Sequence, residues 1–420
     1  MTHYMLFSSI YKDNIQYVDV DVSIDNRAVS YNNMYISQSV HHHLNSVITL
    51  LEKKKGQQKI ISYLKELIHP YNFLYSVVVN DNKLISYSSL YYDIIDMVNN
   101  LNLFNIFSFR DIQCVYKTND FISIIRSIHF LRNDFQDIHS TIFLSNKKYD
   151  FIYLDMMSPD DSSIIENIIY KDESKTSINR NTYENRNITY DIETVINNIA
   201  LHGVIVIKIN NLWSKPIIDI LFLLTAMFEK VYTVKPLTSN FIKNDIYIVC
   251  KNYLNLSNNR FIAEYKLKCD STHSLVIPCS FLNKVEEFNV IVGQQQIETI
   301  DNFINLLNLN YPSNNRIFTT STSIFTKLNK KICSASRRPS LDNSNDNESV
   351  VEKDINQEIN NDIADKTIDD IDIENKKGVS VDYPLFYKIK YKKDKLDNLE
   401  HSNIQKCIAW CDKNNVPYKK

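Results

Sequence analysis

The sequence predicts an α/β fold in which helices cover both faces of a mostly parallel sheet. Between about residues 80 and 255, short apolar runs bounded by polar or turn residues alternate with amphipathic stretches. Short apolar runs are typical of buried strands, whereas apolar residues that recur every three or four positions are typical of helices. Strands that alternate with helices favour a parallel sheet, because each helix returns the chain to the start of the next strand.

Six strands and three helices follow from this pattern. The predicted strands are residues 103–109, 140–144, 149–154, 203–209, 231–234 and 246–250. The predicted helices are residues 120–130, 190–201 and 215–230. Residues 160–186 are polar and lack clear periodicity, so we expect them to form a surface loop.

The remainder of the chain is divided into flanking segments. Residues 1–75 are interpreted as an N-terminal extension with a helix at 39–69, and residues 256–333 as a C-terminal appendage with a helix near 297–307. Residues 334–380 are acidic and poor in apolar side chains, which favours disorder because too little surface can be buried to offset the ordering entropy. Residues 381–420 form a Lys-rich tail that ends in a short helix at 403–415.

Composition excludes several classes of protein. The chain has four glycines, so a glycine-rich phosphate loop is excluded. The formal charge of −2 argues against a globally basic nucleic-acid-binding protein but leaves a local basic groove open. The longest apolar stretches, such as residues 217–228, are shorter than the roughly 20 residues that span a bilayer, so we expect no membrane segment.

The cysteines and histidines indicate neither a disulfide framework nor a metal site. Seven cysteines, an odd number, are scattered along a chain without a signal-peptide pattern, which favours a reducing, cytoplasmic compartment. His41, His42 and His43 are consecutive in a predicted helix, where their side chains point in different directions and cannot bind one ion together. Cys407 and Cys411 lie one helical turn apart but bring no further ligands.

Three motifs contain the residues that indicate a chemical function. Tyr149–Asp155 is an apolar run that ends in a carboxylate, and residues 201–208 form a second run that ends in Lys208. The third is the segment Lys-Pro-Leu-Thr-Ser at 235–239, followed by Asp245 at the start of another apolar run. In sequence, order and spacing these motifs resemble those of the FtsJ-like RNA 2′-O-methyltransferases, and the ending Ala409-Trp410-Cys411-Asp412 resembles the C-termini of members from large DNA viruses.

The resemblance implies a Rossmann-like, S-adenosylmethionine-dependent methyltransferase fold over about residues 80–255. It implies transfer of a methyl group to a ribose 2′-hydroxyl of RNA, with the mRNA cap as one candidate substrate. Lys208 would be the base, Asp155 would orient it near the methyl group, and Asp245 would stand where the family has glutamate. Asn119, Asp120 and Asp155 would bind the cofactor.

The catalytic roles make chemical sense at such a site. A lysine that removes a proton must itself be neutral, whereas neighbouring carboxylates orient its ammonium group and favour its protonated form. Ligands of open α/β sheets bind beyond the carboxyl ends of the strands, and Asp155 and Lys208 both stand at the ends of their runs. We therefore expect these residues to converge at one edge of the sheet.

Two departures from the family pattern leave a second function open. Asp93 stands where the family has its first lysine, and it adds negative charge beside the base. Residues 117–121 match the family's Ala-Pro-Gly-Gly-Phe loop but lack both glycines, although Asn and Asp best tolerate the left-handed backbone that glycine permits. The alternative is a catalytically inactive methyltransferase fold that serves as an RNA- or protein-binding subunit.

The resemblance and the charge pattern also predict partners and location. RNA, capped mRNA included, is the expected partner, and the acidic segment is a candidate site for a protein partner. If the chain is viral, we expect it in the cytoplasm of the infected host cell.

Overall fold

The computed structural model describes residues 3–7, 16–19, 37–52, 67–78, 88–144, 147–156, 190–241, 245–254, 273–308 and 383–419. The chain separates into two compact units, of which the first comprises Met1–Leu309 together with Lys395–Lys420 and the second comprises Asn310–Asp394. The predicted surface loop at 160–186 and the predicted acidic segment at 334–380 lie outside the described residues.

A seven-stranded sheet forms the centre of the first unit, in the order β1-β7-β8-β6-β5-β3-β4, and a two-stranded sheet pairs β2 with β9. The strands are β1 (His3–Phe7), β2 (Gln16–Asp19), β3 (Gln113–Lys117), β4 (Ile138–Ser140), β5 (Tyr149–Asp155), β6 (Ile199–Ile209), β7 (Phe228–Lys235), β8 (Ile246–Tyr253) and β9 (His273–Val276).

Strand directions confirm the predicted fold class. The strands β4, β3, β5 and β6 pair in parallel, and β8 is antiparallel to both β6 and β7. β7 therefore runs in the same direction as β6, so β3 to β7 all share one direction. β8 and the edge strand β1 run in the opposite direction. This mostly parallel sheet with helices on both faces is an α/β Rossmann-like methyltransferase fold.

Helices cover both faces of this sheet. The described helices are α1 (Gln38–Glu52), α2 (Leu74–Val77), α3 (Ser89–Leu101), α4 (Phe121–Leu131), α5 (residues 190–198), α6 (Lys215–Met227), α7 (Cys279–Asn308) and α8 (Tyr383–Asn414), of which α3 to α7 cover the sheet. Alternate residues of each central strand point to opposite faces. Phe151 and Tyr153 of β5 thus pack with α3 and α4, whereas Ile152 and Leu154 pack with α5, α6 and α7.

The predicted strand at 103–109 is wrong. Residues 103–109 form turns and a single 3-10 turn, Asn105–Phe107. Leu103, Phe104 and Phe107 are buried and Phe109 is exposed, so the apolar run packs on one side at the spacing of a helical turn. The strand that fills this place in the sheet is β3, which the sequence pattern did not show because it is short and polar at both ends.

The predicted strand at 140–144 is wrong apart from Ser140, because β4 is Ile138–Ser140. Other predicted elements occur with different bounds, and the short helix predicted at 403–415 is the end of the 32-residue α8. Helix α6 ends at Met227, since residues 228–230 already belong to β7, and the predicted helix near 297–307 is the end of the much longer α7. Of the predicted helix at 39–69, residues 38–52 are helical and residues 53–66 lie outside the described part of the chain.

No helix among the described residues is both long enough and apolar enough to span a membrane. Within the same residues, no group of three or more His, Cys, Asp or Glu side chains is arranged to hold a metal ion.

Candidate functional site

The carboxyl ends of β3, β5 and β6 meet the start of β8 at one edge of the sheet, here called the rim. Asp155 is the last residue of β5, and Lys208 is the penultimate residue of β6. Because β8 runs antiparallel to β6, the beginning of β8 lies at the same edge, and Asp245 immediately precedes it. Residues far apart in sequence are therefore brought to the rim by sheet topology.

The structure brings Asp155, Lys208 and Asp245 together. Asp155 and Lys208 are register partners on neighbouring parallel strands, and the Met156 N–H donates to the Lys208 carbonyl oxygen at 3.0 Å. Lys208 Nζ lies 3.5 Å from Asp245 Oδ2. The side chains of this ion pair are only 17% and 10% exposed, so solvent screens their attraction incompletely.

Asp93 of α3 lies beneath this ion pair. Its buried carboxylate accepts hydrogen bonds from Thr238 Oγ1 at 2.5 Å and from the Tyr247 hydroxyl at 2.9 Å. The pKa of Asp93 is raised to about 6, because burial and the nearby Asp245 raise it by more than these hydrogen bonds and the charge of Lys208 lower it. Asp93 is thus hydrogen-bonded to two residues that lie beside the ion pair.

Lys235 holds the segment that delivers Asp245. Its ammonium group is fully buried and donates to Ser239 Oγ at 3.1 Å, to the Asn240 carbonyl at 3.1 Å and to the Asp245 carbonyl at 2.8 Å. The lysine of the Lys-Pro-Leu-Thr-Ser motif therefore has a structural function that the motif alone did not reveal. Its position at the end of an apolar strand was the only sequence signal.

Asp96, one helical turn after Asp93, anchors two separate segments. Its Oδ2 accepts the Leu237 N–H at 3.1 Å, and its Oδ1 accepts the Trp410 indole N–H at 3.1 Å. Sequence reasoning missed this residue, because both partners are distant in the chain.

The turn from β3 to α4 contains the predicted cofactor-binding residues Asn119 and Asp120. Asn119 is exposed, whereas the Asp120 carboxylate accepts hydrogen bonds from Ser88 Oγ and Ser123 Oγ. None of residues 117–121, all of which are described, has a positive φ. The turn therefore does not use the tolerance of Asn and Asp for a left-handed backbone, and the strand-turn-helix connection forms without glycine.

The same turn contacts the rim. Thr118 Oγ1 donates to Asp155 Oδ2 at 3.4 Å and accepts the Asp120 N–H at 3.3 Å. The two segments predicted to bind the cofactor are thus adjacent.

This sheet order is that of the α/β Rossmann-like methyltransferase fold. In comparisons with known proteins, a segment of 125 residues is 30% identical to cap-specific mRNA (nucleoside-2′-O-)-methyltransferase 2 of Pongo abelii, and covers 28% of this chain and 16% of that protein. A segment of 113 residues is 31% identical to the Mus musculus protein of the same name, and covers 25% of this chain and 15% of that protein.

These similarities are local. The matched segments amount to about a sixth of the length of the curated relatives. No family model matches the chain. Together with the fold, the two relatives support a methyltransferase family.

Proposed function

We propose that this chain is an S-adenosylmethionine-dependent RNA 2′-O-methyltransferase that acts on capped mRNA. The observation that carries the proposal is the convergence of Asp155, Lys208 and Asp245 at the carboxyl ends of the strands of a methyltransferase fold. The RNA substrate and its cap are proposed because both relatives are cap-specific mRNA 2′-O-methyltransferases, although they match this chain only locally.

Lys208 is the proton acceptor in this proposal. Its amine accepts the proton of the ribose 2′-hydroxyl when the amine is neutral, and Asp245, 3.5 Å away, keeps that amine at the rim.

The charge of the rim fits the proposed cofactor. S-adenosylmethionine carries a positive sulfonium centre, which the carboxylates of Asp93, Asp155 and Asp245 would attract. Asp155 and Asn119 would hold it, and Thr118 keeps Asp155 in place. When bound, the cofactor supplies the methyl group.

Replacement of the proposed base tests the activity. We expect Lys208→Ala to lower methyl transfer to capped RNA by at least about 100-fold, because general base catalysis typically contributes that much. Cofactor binding, measured by calorimetric titration, should persist, since the carboxylates that attract the sulfonium remain.

Lys215→Ala is the matched control for this experiment. Lys215 pairs with Asp219 at the start of α6 and not with the rim, so its loss should leave transfer unchanged. Equal transfer by Lys208→Ala and the wild type would contradict the proposed role of Lys208.

The second candidate is an inactive methyltransferase fold that binds RNA or another protein. It is favoured by Asp93, which occupies the place of a lysine and is bonded within the fold, and by Asp120, whose carboxylate is engaged by Ser88 and Ser123. Binding of capped RNA with no calorimetric response to millimolar S-adenosylmethionine would favour this function over the first.

A further inference from the structure

Tyr153 lies beneath the rim and has no part in the chemistry proposed above. It stands two residues before Asp155 on β5, so both side chains point to the face covered by α3 and α4. Its register partners are Tyr116 on β3 and Val206 on β6, and its side chain is fully buried. Asp155 and Lys208 are the next residues on this face toward the rim.

The Tyr153 hydroxyl has no hydrogen-bond partner among the described residues. Two comparable tyrosines are satisfied: the Tyr247 hydroxyl donates to Asp93, and the Tyr149 hydroxyl donates to the Ile142 carbonyl and accepts the Leu144 N–H. A buried hydroxyl without a partner destabilises the fold, and native proteins retain few such groups. The position of Tyr153 next to the rim suggests that its partner arrives with a ligand.

The surroundings of this hydroxyl limit what the ligand can be. Burial raises the pKa of Tyr153 well above its usual value, and the nearby carboxylates of Asp155, Asp93, Asp245 and Asp120 raise it further. The phenol therefore remains a neutral O–H donor. The same carboxylates repel an anionic acceptor, while a ligand that can only donate leaves the phenol hydrogen without a partner.

A neutral hydroxyl group satisfies both requirements, since it accepts from the phenol and donates its own hydrogen to a carboxylate. We infer that Tyr153 is a binding residue for a ribose hydroxyl, which enters between Asp155 and Lys208. This inference rests on the proposed function, which provides two sources of ribose: the target nucleotide of the RNA and the adenosine of the cofactor. Because the phenol is covered in the free protein, a side chain of the rim must turn aside on binding.

Deoxy ligands test the inference directly. In the full chain, Tyr153→Phe and the wild type are titrated with a capped RNA and with the same RNA carrying 2′-deoxyribose at its first transcribed nucleotide. A second arm uses S-adenosylhomocysteine and its 2′-deoxy and 3′-deoxy analogues. For one of the two ligands, the RNA or the cofactor analogue, Tyr153→Phe should weaken binding of the form that carries the hydroxyl roughly threefold to tenfold. Binding of the corresponding deoxy form should not change.

Tyr149→Phe is the matched control, because Tyr149 lies on the same strand, is equally buried and has partners for its hydroxyl. It should lower the melting temperature without changing ligand binding. Tyr153→Phe should keep or raise the melting temperature, since it removes a hydroxyl that has no partner.

Two results would overturn the inference. The first is equal binding of all ligands by Tyr153→Phe and the wild type. The second is a loss of stability in Tyr153→Phe as large as that in Tyr149→Phe, which would indicate that a buried water is the partner of the Tyr153 hydroxyl. Failure of the proposed function is a separate result. A wild type that binds these ligands without transferring methyl groups contradicts the activity and leaves the role of Tyr153 standing, whereas a wild type that binds none of them overturns both.

Discussion

At the scale of single residues, the protonation of Asp93 in the candidate site affects the folding stability of the chain. Its pKa of about 6 lies above the ordinary 3.8, so the folded chain binds this proton more tightly than the unfolded chain. The resulting contribution to stability is fully present below about pH 3.8 and is lost as the pH rises through about 6. A buried carboxylate at this position therefore opposes folding at neutral pH.

Asp93→Asn should remove this pH dependence. Because asparagine carries no charge, we expect the variant to gain stability relative to the wild type between pH 4 and pH 7, by roughly 2–3 kcal/mol at most. Denaturant unfolding at several pH values measures the difference. Asp134→Asn, at an exposed position, is the control and should follow the wild type; identical pH profiles for Asp93→Asn and the wild type would contradict the account.

At the scale of elements, the start of β6 depends on a backbone irregularity. The pairing of β5 with β6 shifts register between Tyr149 and Phe151, and His202 has a φ of 62°. A Cβ on the neighbouring Gly203 would lie 2.6 Å from Ile199 Cγ1 and 2.9 Å from the Ala200 carbonyl oxygen. Glycine is required here because backbone stands too close for a side chain.

Gly203→Ala should therefore destabilise the fold by about 1–3 kcal/mol, the usual cost of forcing atoms into a packed interior. Thermal unfolding measures the loss. His202→Gly is the companion variant and should have a smaller effect, because glycine adopts positive φ without strain. If Gly203→Ala were as stable as the wild type, the backbone near the register shift would be able to move and make room for the new Cβ.

At the scale of the whole molecule, the end of the chain belongs to the unit that contains the sheet. Asn403 Nδ2 donates to the Leu67 carbonyl at 2.7 Å, and the Lys419 N–H donates to the Val77 carbonyl at 2.9 Å. Trp410 donates to Asp96, which also holds Leu237 in the segment that delivers Asp245. The C-terminal helix thus supports the rim through α3.

Trp410→Phe should lower stability by about 1–3 kcal/mol, since it leaves the buried Asp96 carboxylate without one of its donors. Trp213→Phe is the matched control, because Trp213 is half-buried and lies outside this contact. Denaturant unfolding followed by circular dichroism compares the two variants. Equal stability of both would show that Asp96 finds another donor.

Much of the candidate site could be predicted from local sequence. Tyr149–Asp155 and the run before Lys208 are apolar stretches that end in a charged residue, and such residues must lie where a buried strand meets solvent. The roles of Asp93, Asp96 and Lys235 could not be predicted in this way. Asp93 and Thr238 are 145 residues apart, and Asp96 and Trp410 are 314 apart.

The amino-acid sequence by itself determined the α/β class and most strands, because hydrophobic periodicity is a local property, and its resemblance to known motifs singled out Asp155, Lys208 and Asp245. Only the tertiary structure decided that β3 replaces the predicted strand at 103–109, that residues 395–420 join the sheet's unit and that Tyr153 has no partner among the described residues. The physical reason is that burial and hydrogen bonding depend on which distant segments pack together, and the spacing of residues along one segment does not specify this.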